Sequence, residues 1–188
     1  MGYEYFMAEQ AAKKYQTRNP YKLLDAIGAE VRYCHDFDED GLKGYSTILN
    51  RVMFAVINGK LNDHDKRIVA GHEAAHLILH KNEILSSPAQ ALKDFDLYDN
   101  SGQLEYQANS FLADFLLSDE EVMEVLSNED NDYFTNAREL YIPPPLLAFK
   151  LHSMVRRDYK IRNPMDLQSG FLGGNKERWW HKYDYAIK

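Results

Sequence analysis

Residues 72–76 read His-Glu-Ala-Ala-His, where residue types and spacing together specify a chemistry. Two histidines four apart share one face of a helix, so both imidazoles can reach a single ion at about 2.0–2.1 Å. Glu73 projects about 100° round the helix from His72, close enough to exchange a proton with water at that ion without becoming a ligand. The chemistry is metal-assisted hydrolysis, and the ion that suits such a donor set is Zn2+. With 7 histidines in 188 residues, a shuffled chain would hold the pattern only about 2% of the time. The helical context it requires is also present.

A catalytic zinc site normally takes three protein ligands and one water, so a third ligand is needed. His80 continues the four-residue spacing but lies about 12 Å along the axis from His72, too far for a straight helix to place all three on one ion. It is expected to support the site, cap the helix or fill the core. Glu105 is the leading candidate, because Ala108, Leu112 and Phe115 follow it on one helical stripe and a carboxylate there calls for compensation. A surface glutamate favoured by the helix N-terminus explains it equally well on spacing alone. Asp94, Asp96, Asp99 and His152 compete for the role. Asn109, one turn beyond Glu105, can orient a ligand or simply bond to backbone.

The elements that must position these residues follow from periodicity and caps. Residues 4–16 read as a helix. Asn19 and Pro20 open a short second one through Leu23, Leu24 and Ile27, which Gly28 stops. Ala29–Cys34 is a strand, and GYSTILNRVMFAVIN reads as a hairpin around Asn50 and Arg51. Arg51 suits the tightest turns poorly, so a loop longer than two residues is expected there. The strand Val52–Ile57 is expected to offer a free edge to an extended peptide near the site. Asn62–Lys81 is the strongest helix, with Ile68, Val69, Ala75, Leu77, Ile78 and Leu79 as its apolar residues. Residues 86–100 break the pattern. A capping box at Asn100 and Gln103 is expected to open a helix running to about Leu117, and Ser118 with Glu121 opens another. Residues 128–136 read as an acidic loop, and the residues after Pro143–Pro145 as one more amphipathic helix.

Composition sets outer limits. A chain that is 45% hydrophobic and 13% aromatic can bury a core. No apolar run approaches the length of a membrane span and no signal peptide is visible. Cys34, the single cysteine, excludes an internal disulfide and fits a reducing compartment, so a cytoplasmic protein without membrane contact is expected. The net charge of −7 argues against direct nucleic-acid binding through the whole surface. That charge is uneven: residues 1–140 carry 13 Lys/Arg against 25 Asp/Glu, and residues 141–188 carry 9 against 4. A basic segment wrapped on an acidic body is favoured over a partner-binding tail.

The run KRIVAGHEAAHLILH, followed by EYQANSFLADFLL, resembles the ImmA/IrrE-type metallo-endopeptidases, bacterial and prophage zincins. Glu105, Ala108, Asn109, Phe111, Ala113, Leu116 and Leu117 occupy the positions of the downstream motif. The resemblance spans about residues 5–155. It implies zinc held by His72, His76 and Glu105, Glu73 as general base, and a genetically linked helix-turn-helix repressor of a prophage or mobile element as substrate. Ala75 and Ser118 depart from the family pattern, which has Gly and Pro there; neither is a ligand position.

The expected fold is therefore α+β and zincin-like: a small, mainly antiparallel sheet of about three strands packed on the metal helix, with other helices around it. Residues 1–140 form the peptidase domain. Residues 141–188 form a helical extension and aromatic tail, with Trp179 and Trp180, docked on the same domain. Residues 156–188 carry no assignable role, and the oligomeric state is open. His80, Tyr98 and Tyr106 are candidates for stabilising an oxyanion. The competing reading is a regulatory binding module, with structural metal or none, whose basic C-terminal part engages a repressor or DNA.

Overall fold

Local capping sets most of the element boundaries in a computed structural model that describes residues 2–38, 41–86 and 102–161 and the backbone of 91–94. Helix α1 (Tyr3–Tyr15) ends where Gln16 turns left-handed. The Asn19 side chain accepts hydrogen bonds from the Tyr21 and Lys22 amides and opens α2 (Pro20–Ala26), with Pro20 at its first position. Gly28, at φ 76°, turns the chain into β1 (Ala29–Cys34).

Strands β2 (Gly44–Leu49) and β3 (Val52–Asn58) pair antiparallel, with Leu49 opposite Val52. The loop between them is two residues, not more. Asn50 and Arg51 sit at φ 50° and 68°, the positive pair that matches the twist of a tight hairpin. The cross-strand pairing outweighs the cost, about 1–2 kcal/mol, of a left-handed arginine. β1 pairs parallel with β3, and β4 (Ala91–Asp94) pairs antiparallel with β2, giving the order β1-β3-β2-β4. Two of the three pairings are antiparallel, as expected, but β3 lies inside the sheet. The expectation of a free edge at Val52–Ile57 is thus corrected. Among the described residues the edges are β1 and β4, and β4, opposite Gly44 at Asp94, had no β-forming signature in Ala-Leu-Lys-Asp.

Helix α3 (Asp63–Leu79) packs on the inner face of the sheet. Asn62 caps it by accepting from the Asp65 amide, and every residue from Ile68 to Leu77 is buried. On its other side lies α5 (Gln103–Leu116), whose residues Ala108–Leu116 are buried in turn. Gly102 caps α5 without a side-chain bond, so Gln103 is the first helical residue and not the partner in a capping box. Short α4 (Lys81–Ser86) was not expected. Ser118 and Glu121 make the expected reciprocal cap of α6 (Asp119–Leu126). The expected acidic loop holds for residues 128–132, but its last four residues open α7 (Tyr133–Glu139), capped by Asp132 on the Thr135 amide.

Helix α8 (Pro144–Val155) buries Leu146, Leu147, Phe149 and Leu151 in the same core, against α5 and α7. Its Lys150 is fully buried and reaches Asp114 at 3.0 Å and Asp119 at 2.8 Å. Ser153 Oγ donates to Asp114 at 2.6 Å and Arg157 clasps Asp119. These two cations of the basic C-terminal part are spent inside the molecule. Asn100, Asp96, Tyr98, Asp99 and the tail from 162, with Trp179 and Trp180, lie outside the described residues. Among those described, no helix is long and apolar enough to cross a membrane.

Candidate metal centre

On α3, His72 and His76 face α5 and Glu73 faces the sheet. Both histidines are fully buried. A buried helix carrying two imidazoles must satisfy them, and here a carboxylate from a second helix does so. Glu105, in the first turn of α5, places Oε2 3.1 Å from His72 Nε2 and Oε1 3.5 Å from His76 Nε2, and the two Nε2 atoms are 3.0 Å apart. Among the described residues, these three form the group of His, Cys, Asp and Glu side chains that could hold a metal ion. Ligand bonds of about 2.0–2.2 Å in a tetrahedron put donor atoms about 3.3–3.6 Å apart, so the observed triangle is within a few tenths of an ångström of a zinc cage.

The electrostatics agree with that use. Burial pushes the Glu105 carboxyl up, but its hydrogen bonds to His72 and His76 outweigh this and hold it well below the usual carboxylate range. The site therefore offers one negative charge and two imidazoles. His72 Nδ1 lies 3.0 Å from Asn109 Oδ1. A carbonyl oxygen only accepts, so Asn109 holds a proton on His72 Nδ1 and would leave Nε2 as the atom that binds an ion.

Glu73 is fully buried between α3 and β2. Ser46 Oγ donates to its Oε2. A Cβ at Gly44 would stand 2.5 Å from its Oε1 and 2.6 Å from Val69 Cγ1, so only glycine fits where β2 passes the carboxylate. Glu73 is not among the three converging donors.

The remaining candidates separate clearly. His80 Nδ1 is 2.9 Å from His76 Nδ1 and its Nε2 is 3.1 Å from Gln107 Oε1, so both its ring nitrogens are engaged and neither is left to stabilise an oxyanion. His152 sits on α8 with its ring centroid 6.5 Å from that of Tyr106 and does not join the cluster. The side chains of Asp94, Asp96 and Asp99 lie outside the described residues. Gln107, Ser46 and Gly44 were not singled out. Gln107 gave no signal, whereas Ser46 was accessible in principle, since strand alternation places it with Ile48 on the inward face.

The family model for the IrrE N-terminal-like domain, Peptidase_M78, matches residues 25–152. A protein of Bacillus phage phi105 named "Uncharacterized immunity region protein 2" is 30% identical over 127 residues, covering 68% of this chain and 73% of that protein.

Proposed function

Because the chain belongs to the Peptidase_M78, IrrE N-terminal-like family, we propose that it is a zinc-dependent endopeptidase that cuts a genetically linked helix-turn-helix repressor of a prophage or mobile element. The observation that carries the reading is the convergence of His72 Nε2, His76 Nε2 and the Glu105 carboxylate from two helices onto one point. In this reading those three residues hold the ion and Glu73 is the general base. Zinc bound there would supply a polarised scissile carbonyl and a water of lowered pKa.

The protein's own part is proton handling and positioning. Glu73 takes the proton of the attacking water and returns it to the departing amine, and Ser46 keeps its carboxylate aimed while it does so. Asn109 holds the His72 ring. The substrate adds as a further strand to the outer edge of β4, whose Asp94 pairs with Gly44, the residue against which Glu73 rests. Main-chain hydrogen bonds along that edge bind an extended segment of any sequence. The phage relative's name, an immunity region protein, supports a repressor as the substrate class.

The test is metal analysis of the purified chain followed by incubation with the repressor encoded beside it. About one zinc per chain and discrete repressor fragments, absent with Glu73→Gln, are expected. An intact repressor with zinc-loaded protein under all activating conditions would favour a non-catalytic regulatory role.

A further inference from the structure

We propose that Gln107 and His80 form a two-link relay that sets the tautomer of His76 and so turns its Nε2 lone pair toward the metal. The inference rests on the metal-site reading above and adds two positioning residues to it.

Two polar contacts lead to the donor cluster. Gln107 Oε1 lies 3.1 Å from His80 Nε2, His80 Nδ1 lies 2.9 Å from His76 Nδ1, and His76 Nε2 belongs to the donor cluster. With an ion taking up the lone pairs of the two Nε2 atoms of His72 and His76, 3.0 Å apart, the Nδ1 atoms of His76 and His80 at 2.9 Å have no cation between them. They share one proton, since two bare lone pairs or two N–H groups would repel. A neutral imidazole carries a single proton, so each link dictates the next. Gln107 presents a carbonyl oxygen, which can only accept. His80 must therefore hold its proton on Nε2, leaving Nδ1 bare. A bare His80 Nδ1 accepts from His76, whose proton then sits on Nδ1. The Nε2 of His76 is left as a lone pair.

The position of His80 makes this possible. It is the C-cap of α3, with φ −120° and ψ 30°, and its amide donates to His76 O at 2.8 Å. Leaving the helix there swings its ring from the ligand face to the flank of His76, with ring centroids 5.0 Å apart. Gln107 lies two residues beyond Glu105 on α5. The helix that supplies the anionic donor thus also sets the proton on a neutral one. His72 receives the same service from Asn109, so both histidines of the cluster are oriented by an amide of α5, His72 directly and His76 through His80.

The experiment measures zinc affinity by chelator competition on the whole chain, with melting of the metal-free protein alongside. Gln107 is only half-buried, so its variants are expected to fold. Gln107→Leu, which offers no acceptor, should weaken zinc binding roughly 10–100-fold. Gln107→Glu, which only accepts, should bind at least as tightly as the wild type. Both metal-free proteins should melt as the wild type does. Nitrogen-15 spectra of the zinc-loaded wild type should show the His80 proton on Nε2. Wild-type affinity in Gln107→Leu, equal losses in both variants, or a His80 proton on Nδ1 would each overturn the relay while leaving the metal site standing. A wild type that takes up no zinc would overturn the metal-site reading and the relay with it.

Discussion

Replacing Gly44 with alanine adds one methyl group at the point where β2 passes Glu73. The new carbon would sit 2.5 Å from Glu73 Oε1, 2.6 Å from Val69 Cγ1 and 3.1 Å from the Val56 carbonyl oxygen. Ordinary contacts are about 3.5–4.0 Å, so the overlap approaches 1 Å on two sides. Neither neighbour yields freely: Val69 is fully buried in α3, and Val56 belongs to the central strand. Overpacking of this kind costs about 1–3 kcal/mol. Alanine returns about 0.4–1 kcal/mol by restricting the unfolded chain. The overlap wins, with a net loss of about 1–2 kcal/mol and a fall in melting temperature of roughly 2–8 °C. The catalytic effect should be larger, because a proton acceptor moved by about 1 Å costs on the order of 100-fold in rate. Thermal unfolding and repressor cleavage of Gly44→Ala, beside a Gly2→Ala control whose added carbon would meet only Glu4 at 3.4 Å, check both numbers. A Gly44→Ala protein that melts and cleaves like the control would show that the carboxylate has room to move and that β2 does not position it.

Further outcomes are expected elsewhere in the molecule. Glu73→Gln should retain zinc and fold while cleavage drops about 10²–10⁴-fold, read by fragment yield over time; undiminished turnover rules it out as base. Glu105→Ala should lower zinc affinity by far more than about 100-fold, and full zinc retention on chelator titration would remove it from the ligand set. Lys150→Met strips the buried Asp114 of its 3.0 Å partner, and urea unfolding should register a loss of about 3–5 kcal/mol. Burial pushes the Asp119 carboxyl up, but hydrogen bonds from Arg157 and Lys150 outweigh it and hold the group well below its usual range. A depressed carboxylate stabilises the fold above its unfolded pKa of about 3.9 and loses that contribution as the pH falls. Asp119→Asn should therefore be less stable than wild type at neutral pH, with the gap closing below about pH 4; a constant gap would contradict the pairing.

The parts of the fold that announced themselves were those governed by local chemistry. Asn19 and Ser118 each cap the helix they were expected to open, because an N-cap depends only on the next three residues, and Asn62, expected as the first residue of its helix, is its cap. What stayed hidden depends on partners distant in sequence. β4 is a strand because β2 presents an edge to it, not because Ala-Leu-Lys-Asp favours one. α7 lies in a stretch whose acidic residues masked it, and one of them, Asp132, turns out to be its cap. β3 was placed at an edge because a hairpin alone does not disclose the parallel partner, β1, that covers its other side. In the site, the spacing of His72 and His76 identified a pair, and the stripe through Glu105 offered a partner. Gln107 was invisible for a physical reason: its role depends on where His80 points after the helix has ended, which no periodicity encodes.

Gly71, the residue before His72, has no side chain because α5 passes at that level. A Cβ there would strike Leu112, and Pro20 stands 3.2 Å away on the other side. Leu112 lies two turns along α5 from Glu105, on the same stripe. The missing methyl therefore acts as a calliper: it sets how closely the two helices approach, and with that the width of the gap between the imidazoles and the carboxylate. A closely set gap suits a small ion with short bonds to nitrogen. A wider one would hold the three donors too far apart for such an ion and would give the advantage to larger cations that prefer oxygen. With these three residues as ligands, metal preference would be tuned by a residue that touches no metal, through the separation of two helices.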